Sequence, residues 1–220
     1  MHVETKIIIV SLALGLCNLA LAAKQETETT YDGLVPIDKG AFKLSWADPD
    51  VDFTHYNKVI PGGAYFQFRA VKKTSTLQSQ RNNAREFWID DSNKQKLEET
   101  VGDIFSEEIA KSNEFEIVSE PGPHTLVLRG GLFDIISRVP PEQMGRGEIY
   151  LSSVGEATLV IEAIDSLSGE VIYRAVERRA AQSAATSLMP ANTVTTWSEV
   201  RRWARQWATR LRKALDSIHD

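Results

Sequence analysis

The sequence predicts an α+β domain, a mainly antiparallel sheet of four to five strands with two helices packed on one face. Three observations lead there. Four strand-like segments succeed one another between Phe115 and Ala180, the first and last pairs joined by short turns. A helical stripe precedes them, and a second, strongly amphipathic helix closes the chain. Strands grouped between two helices, rather than alternating with them, favour pairing between neighbours over a parallel doubly wound sheet.

The chain has 220 residues and a formal net charge of -5. It opens with a leader carrying Lys6, an apolar run from Ile7, and an Ala-x-Ala site at Ala20 to Ala22. This is the pattern of a secretory signal peptide cleaved between Ala22 and Ala23. The apolar core of about ten residues is too short for a ~30 Å hydrocarbon layer, which favours a cleaved leader over a membrane anchor. The single cysteine, Cys17, lies inside it. Lipidation there would need a small residue in front, and Leu16 occupies that place. A mature chain from Ala23 contains no cysteine, so it has no disulfide, thiolate metal site or cysteine nucleophile. The expected address is the periplasm, an outer-membrane lipoprotein being the alternative.

Residues 23–45 read as an extended N-terminal segment, rich in Asp, Gly and Pro, pinned by Tyr31, Leu34, Phe42 and Trp46. Residues 46–220 read as one domain, long enough to bury near 70% of its extended-chain surface without a staple. "NKVIPGGAYFQFRA" predicts a strand interrupted at Pro61 to Gly63, with Phe66 and Phe68 sharing one face. "DDSNKQKLEETVGDIFSEEIAKSN" predicts a helix capped by Ser92 and Gln95, with Leu97, Val101, Ile104, Phe105 and Ile109 on its stripe.

"FEIVS", "TLVLRGGLFDIIS", "EATLVIEAID" and "EVIYRAVERRA" predict four strands. The turns "EPGP" and "DSLSGE" predict antiparallel pairing across each, and Gly130 to Gly131 a bend or bulge. Between the second and third strands runs a loop with Pro140, Pro141, Met144 and Tyr150. Loops carry contacts disproportionately, which makes these residues, with the segment Ala180 to Thr195, an expected interaction surface.

In the closing helix, "TTWSEVRRWARQWATRLRKALDSIHD", Thr196 and Glu199 form a capping box. Val200, Trp203, Ala204, Trp207, Ala208, Leu211, Ala214, Leu215 and Ile218 fill one apolar arc of about 140°. The arginines lie outside it. Either the arc covers the sheet while the arginines meet the acidic face of the first helix (Glu98, Glu99, Asp103, Glu107, Glu108), or Trp203 and Trp207 are exposed to a lipid or protein surface. Glu108 falls inside the apolar arc of the first helix. Near a helix end it can reach solvent; the alternative is a buried carboxylate paired with an arginine.

The chemistry-bearing inventory is thin. His55, His124 and His219 have no spacing that sets two on one helix face, and there is no nucleophile elbow, P-loop or dinucleotide fingerprint. No catalytic, cofactor-binding or metal-ligating residue is therefore predicted. Arg129, Asp134, Glu162 and Asp165 read as exposed-face or strand-end polar residues. The expected function is non-enzymatic, through contact with another envelope protein. A periplasmic hydrolase or ligand-binding protein, and a peripheral membrane protein, are the alternatives. An acidic exported chain argues against nucleic acid.

"GEATLVIEAIDSLSGEVIYRAVERR" at 155–179, with "YDGLVPID" at 31–38, "WADPDVDFTHYNKVIPGG" at 46–63 and "FEIVSEPGPHTLVLRGGLFDII" at 115–136, resembles the bacterial envelope family known as domain of unknown function 3313. The resemblance implies an exported protein, often a lipoprotein, with no assigned activity and no catalytic residues to carry over. Leu16 before Cys17 departs from the lipoprotein pattern.

Overall fold

A computed structural model of the chain describes residues 28–73, 85–140, 149–182 and 188–219. Cys17, Ala22, Ala23, Pro141 and Met144 lie outside the described residues.

Along the chain run β1 (Val35–Pro36), β2 (Leu44–Ala47), a 3-10 turn (Phe53–His55), β3 (Lys58–Phe68), α1 (Asp91–Ile109), β4 (Glu116–Ile117) and β5 (Thr125–Ser137). There follow β6 (Tyr150–Leu151), β7 (Ser153–Asp165), β8 (Val171–Gln182), β9 (Met189–Pro190) and α2 (Thr193–Asp216). Seven strands form one sheet in the order β1-β2-β8-β7-β5-β3-β4, and β6 pairs with β9 separately. The class is α+β, but the sheet is larger than the sequence predicts, and mixed. β3 runs parallel to both β5 and β4.

That difference has two causes. β1 and β2 are too short for a period-2 pattern to show, so they read as an irregular segment, and the expected boundary at residue 46 falls inside β2. The "EPGP" segment does not close a hairpin: β4 pairs with Lys58 and Val59 of β3, and β5 lies on the other side of β3. Burial of Phe115 and Val59 beside this junction gives the rearrangement its apolar support. The antiparallel pair β7 with β8 forms across "DSLSGE" as predicted, and β5 also pairs antiparallel with β7.

Alternation on β7 sorts the two faces. Ala157, Leu159, Ile161 and Ala163 are buried beneath the helices, while Glu156, Thr158 and Glu162 point to the other face. The apolar arcs of both helices join the former side in one core. Trp207, Ala204 and Ala208 are fully buried, and Trp203 is 5% exposed. The Trp203 and Trp207 rings stand 4.2 Å apart between centroids. These two tryptophans are thus core residues and not an interaction surface, because the small side chains at Ala157, Ala175 and Ala204 leave the space their rings occupy.

Both helix starts are corrected. Asp90 caps α1, its side chain accepting from the Asn93 amide, and Asn192 caps α2, accepting from Thr195. Each satisfies a donor that the helix leaves orphaned, so the helices begin before the predicted boxes. Of the four predicted pins, Leu34 and Phe42 are buried, Trp46 is half-buried and Tyr31 is exposed. No helix among the described residues is long and apolar enough to cross a membrane.

Candidate functional site

β4 accompanies β3 only at Lys58 and Val59. Beyond that point, the lateral edge of β3 has no strand beside it among the described residues. Pro61 lacks an amide proton, and the ladder to β5 slips between Pro61 and Ala64, where Gly62 and Gly63 form a bulge. Gly63 has φ +85°, and a Cβ on Gly62 would lie 2.6 Å from Val127 Cγ1 and 2.9 Å from the Leu128 carbonyl. Both positions therefore require glycine. The bulge protects the first part of the edge, leaving Ala64 to Phe68 uncovered, with the ladder to β5 slipping once more between Phe66 and Phe68.

Behind this edge lies an apolar cavity of about 170 Å³. Its walls come from α1 (Val101, Gly102, Phe105) and from the bent strands at Gly63, Ala64 and Gly130. It exists because both strands are glycine-rich where α1 crosses them, so no side chain fills the space. Tyr65, 59% exposed, packs its ring 5.5 Å from that of Phe133 beside the same edge.

The edge is braced from the open face of the sheet. Asp134 occupies a second bulge, between Phe133 and Ile136, with φ +53°. A non-glycine residue held there is uncommon, and its surroundings over-determine it. Arg69, just past β3, grips the carboxylate with Nε at 2.6 Å and Nη2 at 2.5 Å, and Arg178 of β8 reaches it at 2.8 Å. Hydrogen bonds from Arg69 first, then Arg178, hold Asp134 at about 2, well below the ordinary 3.8. Arg69 also reaches Glu86, and Arg178 reaches Glu156.

A second row crosses three strands in register. Arg129, Glu162 and Arg174 sit opposite one another on β5, β7 and β8, and Arg174 ends on Asp32. The hydrogen bond from Arg174 holds Asp32 at about 2. Residues predicted only as polar exposed-face groups are thus fastened into two ionic rows, which cross-strand spacing of ~5 Å permits.

The remaining predicted residues are scattered. Pro140 is half-buried, and Tyr150 is 52% exposed on β6. His55 and His124 come together, ring centroids 6.5 Å apart, with Asp52 3.4 Å from His55. Both histidines are exposed, and neither lines a described cavity. His219 faces the Tyr56 carbonyl at 2.9 Å.

Glu108 does not reach solvent. It is 6% exposed, bonded to Lys111 at 2.5 Å and Thr209 at 3.1 Å, with Arg212 at 3.8 Å. The Lys111 bond, against the cost of burial, keeps it below its ordinary range. The open edge of β3 was missed from sequence, since an edge is defined by which strands are absent beside it. The Pro-Gly-Gly interruption was the one local signal.

No curated protein is significantly similar to the chain. Among solved structures it is similar to the PelC dodecamer from Paraburkholderia phytofirmans, at 11% identity, covering 78% of this chain and 94% of that one, with TM-score 0.35. It is also similar to a protein from Xanthomonas campestris (12% identity, 80% and 90% covered, TM-score 0.39). A third likeness is to a neuraminyllactose-binding hemagglutinin homolog from Helicobacter pylori (9% identity, 84% and 91% covered, TM-score 0.39). At such identities and scores these likenesses assign neither ligand nor assembly. The family model described as protein of unknown function, DUF3313, matches residues 23–211, and the chain belongs to that family.

Proposed function

We propose that this is a non-enzymatic protein of the bacterial envelope, exported by its leader, which acts by holding an extended segment of another envelope protein against β3. The uncovered edge from Ala64 to Phe68 carries this reading. An added strand would satisfy the outward backbone groups there, and an apolar side chain of it would fill the cavity beside Gly63 and Ala64. The two ionic rows support such a role by keeping β3, β5 and β8 rigid, so little ordering is left to oppose association.

A photocrosslinking residue at Tyr65, in cells making the protein at native level, tests it. The expected result is a discrete adduct with a second envelope protein, recovered from the envelope fraction, and none from the same residue at Val194, which is 79% exposed on α2. Adducts equal at both positions, or absent from both, would refute the reading.

A further inference from the structure

The sequence suggests that the arginine flank of α2 meets the acidic face of α1, but among the described residues it meets that face only at Glu108. Arg202 turns to Glu199 of its own helix, Arg210 to Glu177 of β8 at 2.6 Å, and Arg212 to Asp216 at 2.8 Å. The single ion pair from α2 to α1 among the described residues is Arg212 with Glu108. The rest of the flank is left with charge to spare.

That surplus converges. Arg202, Arg205, Gln206, Thr209 and Arg210, spaced along one side of α2, line a groove of about 360 Å³ with Arg179 of β8. Arg179 lies two residues beyond Glu177, on the same side of the strand, where β2 no longer covers β8. Arg205 and Arg179 have no carboxylate partner among the described residues. Arg179 is the telling one, because its Nη1 is shut off from solvent with no hydrogen-bond partner. A buried guanidinium donor left unmade is costly, and burial without a partner points to a missing acceptor. Thr209 spends its hydroxyl on Glu108 and brings no negative charge of its own.

We propose that this groove binds a phosphate-bearing anion, with half-buried Arg179 as the anchor and Arg205 closing on it from α2. Two unpaired guanidinium forks suit the oxygens of a phosphate or diphosphate, each presenting parallel N–H donors to two oxygens. Arg202 and Arg210, already shared with Glu199 and Glu177, supply a positive field without being freed. The groove is separate from the β3 edge, so failure of either proposal leaves the other standing.

Inorganic pyrophosphate is the probe, titrated calorimetrically into the protein. Saturable one-to-one binding is expected. Arg179→Gln should weaken it about tenfold or more, and Arg205→Gln, at an exposed position that the fold does not need, at least ~3-fold. Arg201→Gln, outside the groove, should leave it unchanged. A parallel arm uses phosphatidylcholine vesicles with and without phosphatidylglycerol. Binding to the anionic vesicles that pyrophosphate displaces would identify a lipid headgroup as the source of the phosphate; pyrophosphate binding without vesicle binding would identify a soluble one. No saturable binding, or equal affinity in all three variants, would overturn the proposal.

Discussion

On the open face of the sheet, Arg69, Arg129, Arg174 and Arg178 each end against at least one carboxylate, whereas on the helix side Arg179 and Arg205 end against none. The same side chain is therefore structural in one region and available in the other. Register makes the difference. Strands hold opposite charges at fixed spacing across the ladder, so Arg129, Glu162 and Arg174 need no search for one another. A helix flank fans its arginines outward, and only those near a carboxylate of their own helix or of β8 are neutralised.

The strongest way to break this contrast is to bring the groove's condition into the core. Glu108→Ala would leave Thr209 without its acceptor and Arg212 with Asp216 alone between the helices, and removing a buried, paired carboxylate should cost about 3 kcal/mol. For a domain of this size the melt should fall by roughly 6–12 °C; an unchanged melting temperature would show that the carboxylate contributes nothing.

A smaller effect separates the two regions directly. Arg174→Ala removes the shared partner of Asp32 and Glu162 and should cost about 2 kcal/mol. Arg179→Gln, further along β8 and on its helix-facing side, should stay within about 0.5 kcal/mol of the parent. Denaturant midpoints at constant slope decide between them, and equal losses would erase the distinction.

The smallest effect is the acid one. Asp32 and Asp134 have folded values depressed from 3.8 to about 2. Their contribution is thus complete above 3.8 and is lost as pH falls toward 2. Both are exposed enough for salt to weaken it. Between those pH values the parent should lose more stability than Asp134→Asn, which tolerates the left-handed backbone but carries no charge to lose. Parallel curves for the two proteins would disprove the coupling.

Sequence reading succeeded where a pattern is local. The apolar arc of α2 from Trp203 to Leu215, the alternation of β7 and the span of β5 all stand as expected. It failed where partners are remote. Nothing near Leu44 to Ala47 announces that these residues pair with Tyr173 to Val176, and nothing in "EPGP" reveals that β4 turns to β3. The charges were only partly legible for the same reason: of Glu98, Glu99, Asp103, Glu107 and Glu108, which looked like partners for α2, Glu108 alone meets one of its arginines among the described residues, because ion pairs follow the final geometry and not the count of opposite signs. Of the candidate site, Pro61 to Gly63 was legible as an interruption, while the open edge beyond it depended on the whole strand order.

The placement of β2 bears on how the chain is completed. Ser45 hydrogen-bonds to Tyr173, 128 residues further on, so one margin of the sheet is made from the beginning of the domain and from nearly its end. Closing so long a loop is slow, and until β8 arrives the early segment has only the short β1 beside it. A chain laid out in this way leaves that margin of the sheet incomplete during synthesis until β8 has emerged.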